Sequence, residues 1–167
     1  MTASEIIDKL QLEPLPNEGG YYRETWRSSH KLSIPCLPSG FAGERCLETC
    51  IYYLITPDSF SQMHKLPSPE IWHFYLGDSA EQIRITPDGS VEKIMLGNNI
   101  AENQQLQIAV PANTWQGTRL MEGGKFALFG TTVSPGFEFK DYAAGDLKSL
   151  SRAYPRHDEK KKKYFNA

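Results

Sequence analysis

The chain has 167 residues, 40% of them hydrophobic and 23% charged, with a formal net charge of -2. That length suits one domain with its own core, and that composition suits an ordinary globular protein rather than a disordered one. The near-neutral charge gives no electrostatic footprint for nucleic acid, and no stretch approaches the roughly 20 apolar residues of a membrane span.

In chain order, Ser4 followed by Glu5, Ile6, Ile7 and Leu10 predicts a capped amphipathic helix of about two turns that ends before Pro14. Glu5 and Asp8 interrupt this opening, so it lacks the basic region and continuous apolar run of a signal peptide, and a cytosolic location is expected. The pattern then becomes β. Tyr21–Ser28, Cys46–Ile55 and Glu70–Leu76 are rich in aromatic and β-branched residues and are bounded by Gly, Pro or Asp. Gln82–Thr86 and Val91–Leu96 flank Pro87-Asp88-Gly89-Ser90, which predicts a hairpin. Leu106–Val110, Thr114–Leu120 and Lys125–Val133 add further strands. Asp146 is placed to cap a short closing helix that runs to Tyr154. Many short strands with few helices predict an all-β sandwich or barrel, not a βαβ fold. The lysine run Lys160–Lys163 reads as a solvated tail. Cys36, Cys46 and Cys50 are odd in number and contain no CxxC pair, so free thiols in a reducing compartment are expected.

The most informative stretch is Ser59–Gly77, SFSQMHKLPSPEIWHFYLG, which carries His64, Glu70 and His73. Strand alternation puts Glu70, Trp72 and Phe74 on one face and Ile71, His73 and Tyr75 on the other. His73 therefore joins Glu70 only if a bulge intervenes. Arg23 breaks an aromatic strand; directed inward, its planar fork would hold a carboxylate or phosphate. Tyr53 and Tyr75 are candidate proton donors.

This stretch resembles the first motif of the cupin superfamily, with His64, Glu70 and Gly77 in place and Leu66 standing where a second histidine belongs. Pro111-Ala112-Asn113-Thr114-Trp115-Gln116 is similar to the second motif, with Asn113 for its glycine and Gln116 for its histidine. Asn tolerates positive φ, so that turn is expected to survive. More closely, the chain resembles an uncharacterised cupin family once called domain of unknown function 985, through Glu18–Ser28, Ile51–Leu54, His64–Gly77, Val110–Gln116 and Val133–Phe139.

The resemblance implies a cupin jelly-roll barrel with short terminal helices and one domain over 1–167. Its core would cover about 15–142, with a charged tail at 155–167. It also implies a homodimer and a pocket for a small polar or anionic, sugar-like molecule. Three functions are compatible with these residues. In a metal-free isomerase or epimerase, His64 is the base and Tyr53 or Tyr75 the acid, with Arg23 near an anionic group. A metal enzyme would instead hold a divalent ion through His64 and Glu70, helped by Gln116 or, less readily, His73. An amide is a poor substitute for imidazole, so no cofactor is required and any metal is expected to bind weakly. A non-catalytic binding or sensing module would use Trp72, Phe74 and Trp115 as walls and His64, Glu70 and Gln116 as polar contacts.

Overall fold

The cap of the N-terminal helix lies two residues earlier than the sequence suggests. Thr2, not Ser4, is the cap: its hydroxyl accepts from Glu5 N while the Glu5 carboxylate accepts from Thr2 N at 2.8 Å, satisfying two otherwise orphaned donors. Helix α1 spans Ala3–Leu10 and ends at Gln11 in the left-handed region. The computed structural model describes residues 1–86, 88–154 and 163–165.

The strands are β1 (Glu13–Pro14), β2 (Tyr21–Arg27), β3 (Lys31–Leu32), β4 (Arg45–Cys46), β5 (Thr49–Ile55), β6 (Ser61–Lys65) and β7 (Glu70–Gly77). They continue with β8 (Ala80–Ile85), β9 (Val91–Leu96), β10 (Gln107–Val110), β11 (Trp115–Leu120), β12 (Ala127–Val133) and β13 (Ala143–Ala144). A six-stranded sheet runs β1-β2-β5-β12-β7-β10 and a five-stranded sheet runs β13-β6-β11-β8-β9, with every named pair antiparallel. This two-sheet, all-β architecture is a jelly-roll barrel. The expected hairpin is present, with β8 and β9 in register from Ala80↔Leu96 to Ile85↔Val91, although Pro87 itself lies outside the described residues.

Alternation along the strands sorts residues into three layers. Tyr53, Ile55, Trp72, Phe74 and Phe129 form the core between the sheets. Leu54 and Leu128 point the other way and are covered by Ile6 and Leu12 from the N-terminal segment. On the outer side of the five-stranded sheet, Met63, Ile83 and Ile85 pack against Leu150 and Tyr164. Leu150 belongs to helix α2 (Leu147–Ala153), capped as expected by Asp146, whose carboxylate accepts from Ser149 N at 2.8 Å.

The end of the chain departs from the expected solvated tail. Tyr164 is fully buried, its hydroxyl donates to Glu81 Oε1 at 2.6 Å, and its carbonyl accepts from Met63 N at 2.9 Å. Lys163 adds an ion pair to Glu81 at 2.5 Å. Residues 155–162, including Lys160–Lys162 of the lysine run, lie outside the described residues. Cys36, Cys46 and Cys50 are free. Among the described residues no helix is long and apolar enough to cross a membrane.

Candidate functional site

The barrel contains a cavity of about 240 Å³, lined by Glu18, Tyr53, His64, Leu66, Glu70 and Trp72 among others. Its polar centre is assembled from three directions. His64 comes from β6, which pairs with β11 so that His64 faces Gln116 across the ladder. Glu70 starts β7 in the opposite sheet. Asn113, with φ 61°, makes the tight turn that begins β11, as expected of an Asn in that position.

The third direction is the segment before β2, which supplies Glu18. Gly19 and Gly20, with φ of 90° and 73°, fold this segment against the barrel. A Cβ on Gly19 would lie 2.4 Å from Phe60 O, and one on Gly20 would lie 2.7 Å from the Tyr53 ring, so only glycine fits either place. The turn is tied by Gln62 N donating to Glu18 O at 2.9 Å and by the Tyr53 hydroxyl donating to Gly19 O at 2.8 Å.

Two physical constraints fix the hydrogen-bond directions. Arginine has no acceptor, so Arg84 Nε, 2.7 Å from Gln82, must meet its Oε1. Gln82 Nε2 then donates to Thr118 Oγ1 at 3.1 Å and Gln116 Oε1 at 3.3 Å. Gln116 Nε2 is left to donate to Glu70 Oε2 at 2.6 Å and toward His64 Nε2 at 3.4 Å. Separately, His64 Nδ1 lies 2.8 Å from the Gln62 carbonyl, which only accepts, so Nδ1 carries a proton and, in the neutral ring, Nε2 presents the lone pair. The ring stacks on Tyr142 with centroids 5.3 Å apart.

Glu18 Oε2 lies 3.8 Å from that bare nitrogen, and Ser61 donates to Glu18 Oε1 at 2.9 Å. Burial raises the Glu18 carboxyl above its ordinary range; His64 when protonated opposes the rise, Glu70 adds to it, and the nearby hydroxyls of Ser61 and Tyr53 oppose it again. Burial likewise pushes the Tyr53 phenol well up, with the Glu18 charge adding to the effect. Arg84 is held below its usual value by burial, against the favourable field of Glu92 and Glu70.

The structure therefore brings together His64, Glu70, Gln116, Tyr53 and Trp72. The other expected site residues lie elsewhere. Arg23 faces outward with its guanidinium over the Tyr52 ring, because its neighbours Tyr22 and Glu24 take the cavity side. His73 and Tyr75 occupy the outer face of β7, stacked on each other at 6.5 Å, and Tyr75 is 52% exposed. The bulge between β7 and β12 falls beyond Phe74, too late to turn His73 inward. Trp115 is outside the barrel because Gln116 is inside; Lys65 Nζ sits 4.8 Å from its ring. Phe74 is in the core, against Phe129, and does not line the cavity. Sequence reading missed Glu18, Gln82, Arg84 and Tyr142 as site components. The glycine pair after Glu18 was the available signal, since a double glycine marks a close backbone approach.

The cupin fold raises the question of a divalent metal. Among the described residues no group of three or more His, Cys, Asp or Glu side chains is placed to hold one. Gln116 turns its N–H, not its oxygen, toward Glu70 and His64, and an amide so turned offers a metal no lone pair.

A jelly roll with the inward histidine and glutamate of the first motif facing Gln116 of the second is a cupin barrel. The chain belongs to the family described as Cupin superfamily (DUF985), which matches residues 4–144. It is 31% identical over 134 residues to the uncharacterized protein YML079W of Saccharomyces cerevisiae, covering 75% of this chain and 66%, just under two thirds, of the yeast protein. Among solved structures it is similar to a hypothetical protein from Leishmania major, at 30% identity and TM-score 0.89 with both chains covered completely. Protein SO0799 from Shewanella oneidensis is similar at 32% identity and TM-score 0.86, over 99% of this chain and 98% of that one.

Proposed function

We propose that the barrel binds a small polar molecule without a metal ion and exchanges a proton with it through His64 and Glu18. The observation that carries this reading is the fixed tautomer of His64, whose Nδ1 proton rests on Gln62 O and whose bare Nε2 lies 3.8 Å from a carboxyl raised by burial. A lone-pair nitrogen beside an acid that holds its proton above the usual range is a matched base and acid.

The pair sits on one side of the cavity, which favours isomerisation across one face of a substrate over epimerisation through opposite faces. Tyr53, the remaining expected acid, already donates its proton to Gly19 O. Metal independence is supported by the amide orientation of Gln116 and by Leu66, which stands where the cupin motif has its second histidine.

The test is solvent-deuterium incorporation into a bound ligand, followed by mass spectrometry. Exchange should require both His64 and Glu18 and be abolished in His64→Ala and in Glu18→Gln. A ligand that binds wild-type protein but never exchanges would make the chain a binding or sensing module instead.

A further inference from the structure

The charges around the cavity are one-sided. Glu18 and Glu70 lie at its buried end, while Arg27 is the one guanidinium among its described lining residues. Arg27 is already committed: Nε and Nη2 donate to Glu24, Nη1 to Glu138 at 2.9 Å, and Nη2 also to Phe137 O at 3.3 Å. Arg23 faces away over Tyr52; Arg84 bonds Gln82 and the Ala109 carbonyl and keeps Nη2 unpartnered among the described residues, but it does not line the cavity. Among the described lining residues an incoming carboxylate or phosphate would therefore meet carboxyl groups and no uncommitted cation.

Two kinds of polar group are left for a guest. Among the described residues, Gln116 reaches only Oε2 of Glu70, so the other oxygen of that carboxyl lacks a hydrogen-bond donor. Glu70 is 6% exposed and lines the cavity. The indole N–H of Trp72, a lining residue 1% exposed, has no acceptor among the described residues. A complementary guest supplies donors and positive charge to the Glu70 carboxyl and one oxygen acceptor to the indole. Buried unpaired groups of this kind are costly, so filling them selects strongly. At about 240 Å³ the cavity falls below the roughly 300–1,000 Å³ of drug-sized pockets, which limits the guest to about one small ring.

We propose that the barrel takes a compact hydroxylated amine, of the size and chemistry of an amino sugar, and excludes anions. This deepens the small-molecule reading of the same site and rests on it. Isothermal titration of the full chain with glucosamine, glucose and glucuronate compares one ring size carrying positive, zero and negative charge. Glucosamine should bind at least about tenfold more tightly than glucose, and glucuronate should not bind. Glu70→Gln, or Glu70→Ala if the first variant misfolds, should bring the glucosamine preference close to one, whereas Tyr75→Phe on the outer face should leave it unchanged. Glucose or glucuronate binding as well as glucosamine overturns the charge assignment but leaves the cavity a binding site. Failure of all three to bind overturns both.

Discussion

At the scale of single residues, the site is governed by donor-only Arg84 acting through two amides. Its guanidinium fixes Gln82, Gln82 fixes Gln116, and Gln116 holds Glu70 by a 2.6 Å hydrogen bond. A guest that donates to the other Glu70 oxygen makes a charge-assisted bond worth about 1.5–3 kcal/mol. Glu70→Gln should therefore weaken ligand binding by about that amount while leaving the fold intact, as read by titration and circular dichroism. Glu18 carries a stability consequence of opposite character. Its folded carboxyl holds a proton more tightly than the unfolded one, so its contribution is complete below about pH 4.5, the ordinary carboxyl value, and is lost as pH rises through the raised folded value. Relative to wild type, Glu18→Gln should gain stability as pH rises above about 4.5 in urea unfolding. No such gain would mean that Glu18 is not desolvated.

Residue identities were only partly legible in the sequence. The cupin frame identified His64, Glu70 and Gln116 from motif spacing, and alternation correctly separated Glu70 from His73 and Tyr75. Alternation applied to Gln116 also turns Trp115 outward. Arg23 was harder, because β2 carries aromatic and charged residues on both faces and its sequence does not say which one meets the cavity. Glu18 reaches His64 from a loop 46 residues away in sequence, a contact that no local periodicity encodes.

At the scale of elements, β8 is buried throughout, Ala80 to Ile85, although it alternates polar and apolar residues. Gln82 and Arg84 serve the interior, and Ile83 and Ile85 are covered from outside by Leu150 and Tyr164. The strand pattern shows alternation but not that the polar side is the inner one. The cover depends on a clip at Glu81. Burial alone would raise this carboxyl, but hydrogen bonds from Lys163, Lys93 and Tyr164 outweigh it and hold it down to about 2. Its contribution is thus present above about pH 4.5 and is lost as pH falls through about 2. Removing a buried aromatic side chain costs roughly 3–5 kcal/mol, so Tyr164→Ala should lower the urea midpoint accordingly. An unchanged midpoint would show that the C-terminal residues do not dock.

At the scale of the whole molecule, the N-terminal segment covers part of the outer face of one sheet and Leu150 with Tyr164 part of the other, and the polar residues gather at one cavity centre. Fold class was legible because many short strands and turn residues allow few alternatives. Its chemistry was less so, since a cupin frame with Leu66 and Gln116 in histidine positions is compatible with a weakened metal site or with none. The orientation of one amide favours the proposed metal-free reading, and it depends on Arg84, which lies in neither motif. The most direct test is to load the purified chain with excess Mn²⁺, Co²⁺ or Ni²⁺, dialyse it against a chelator, and measure metal content by mass spectrometry. The amide-closed site predicts metal far below one equivalent with the fold unchanged. One equivalent retained through the chelator would contradict it.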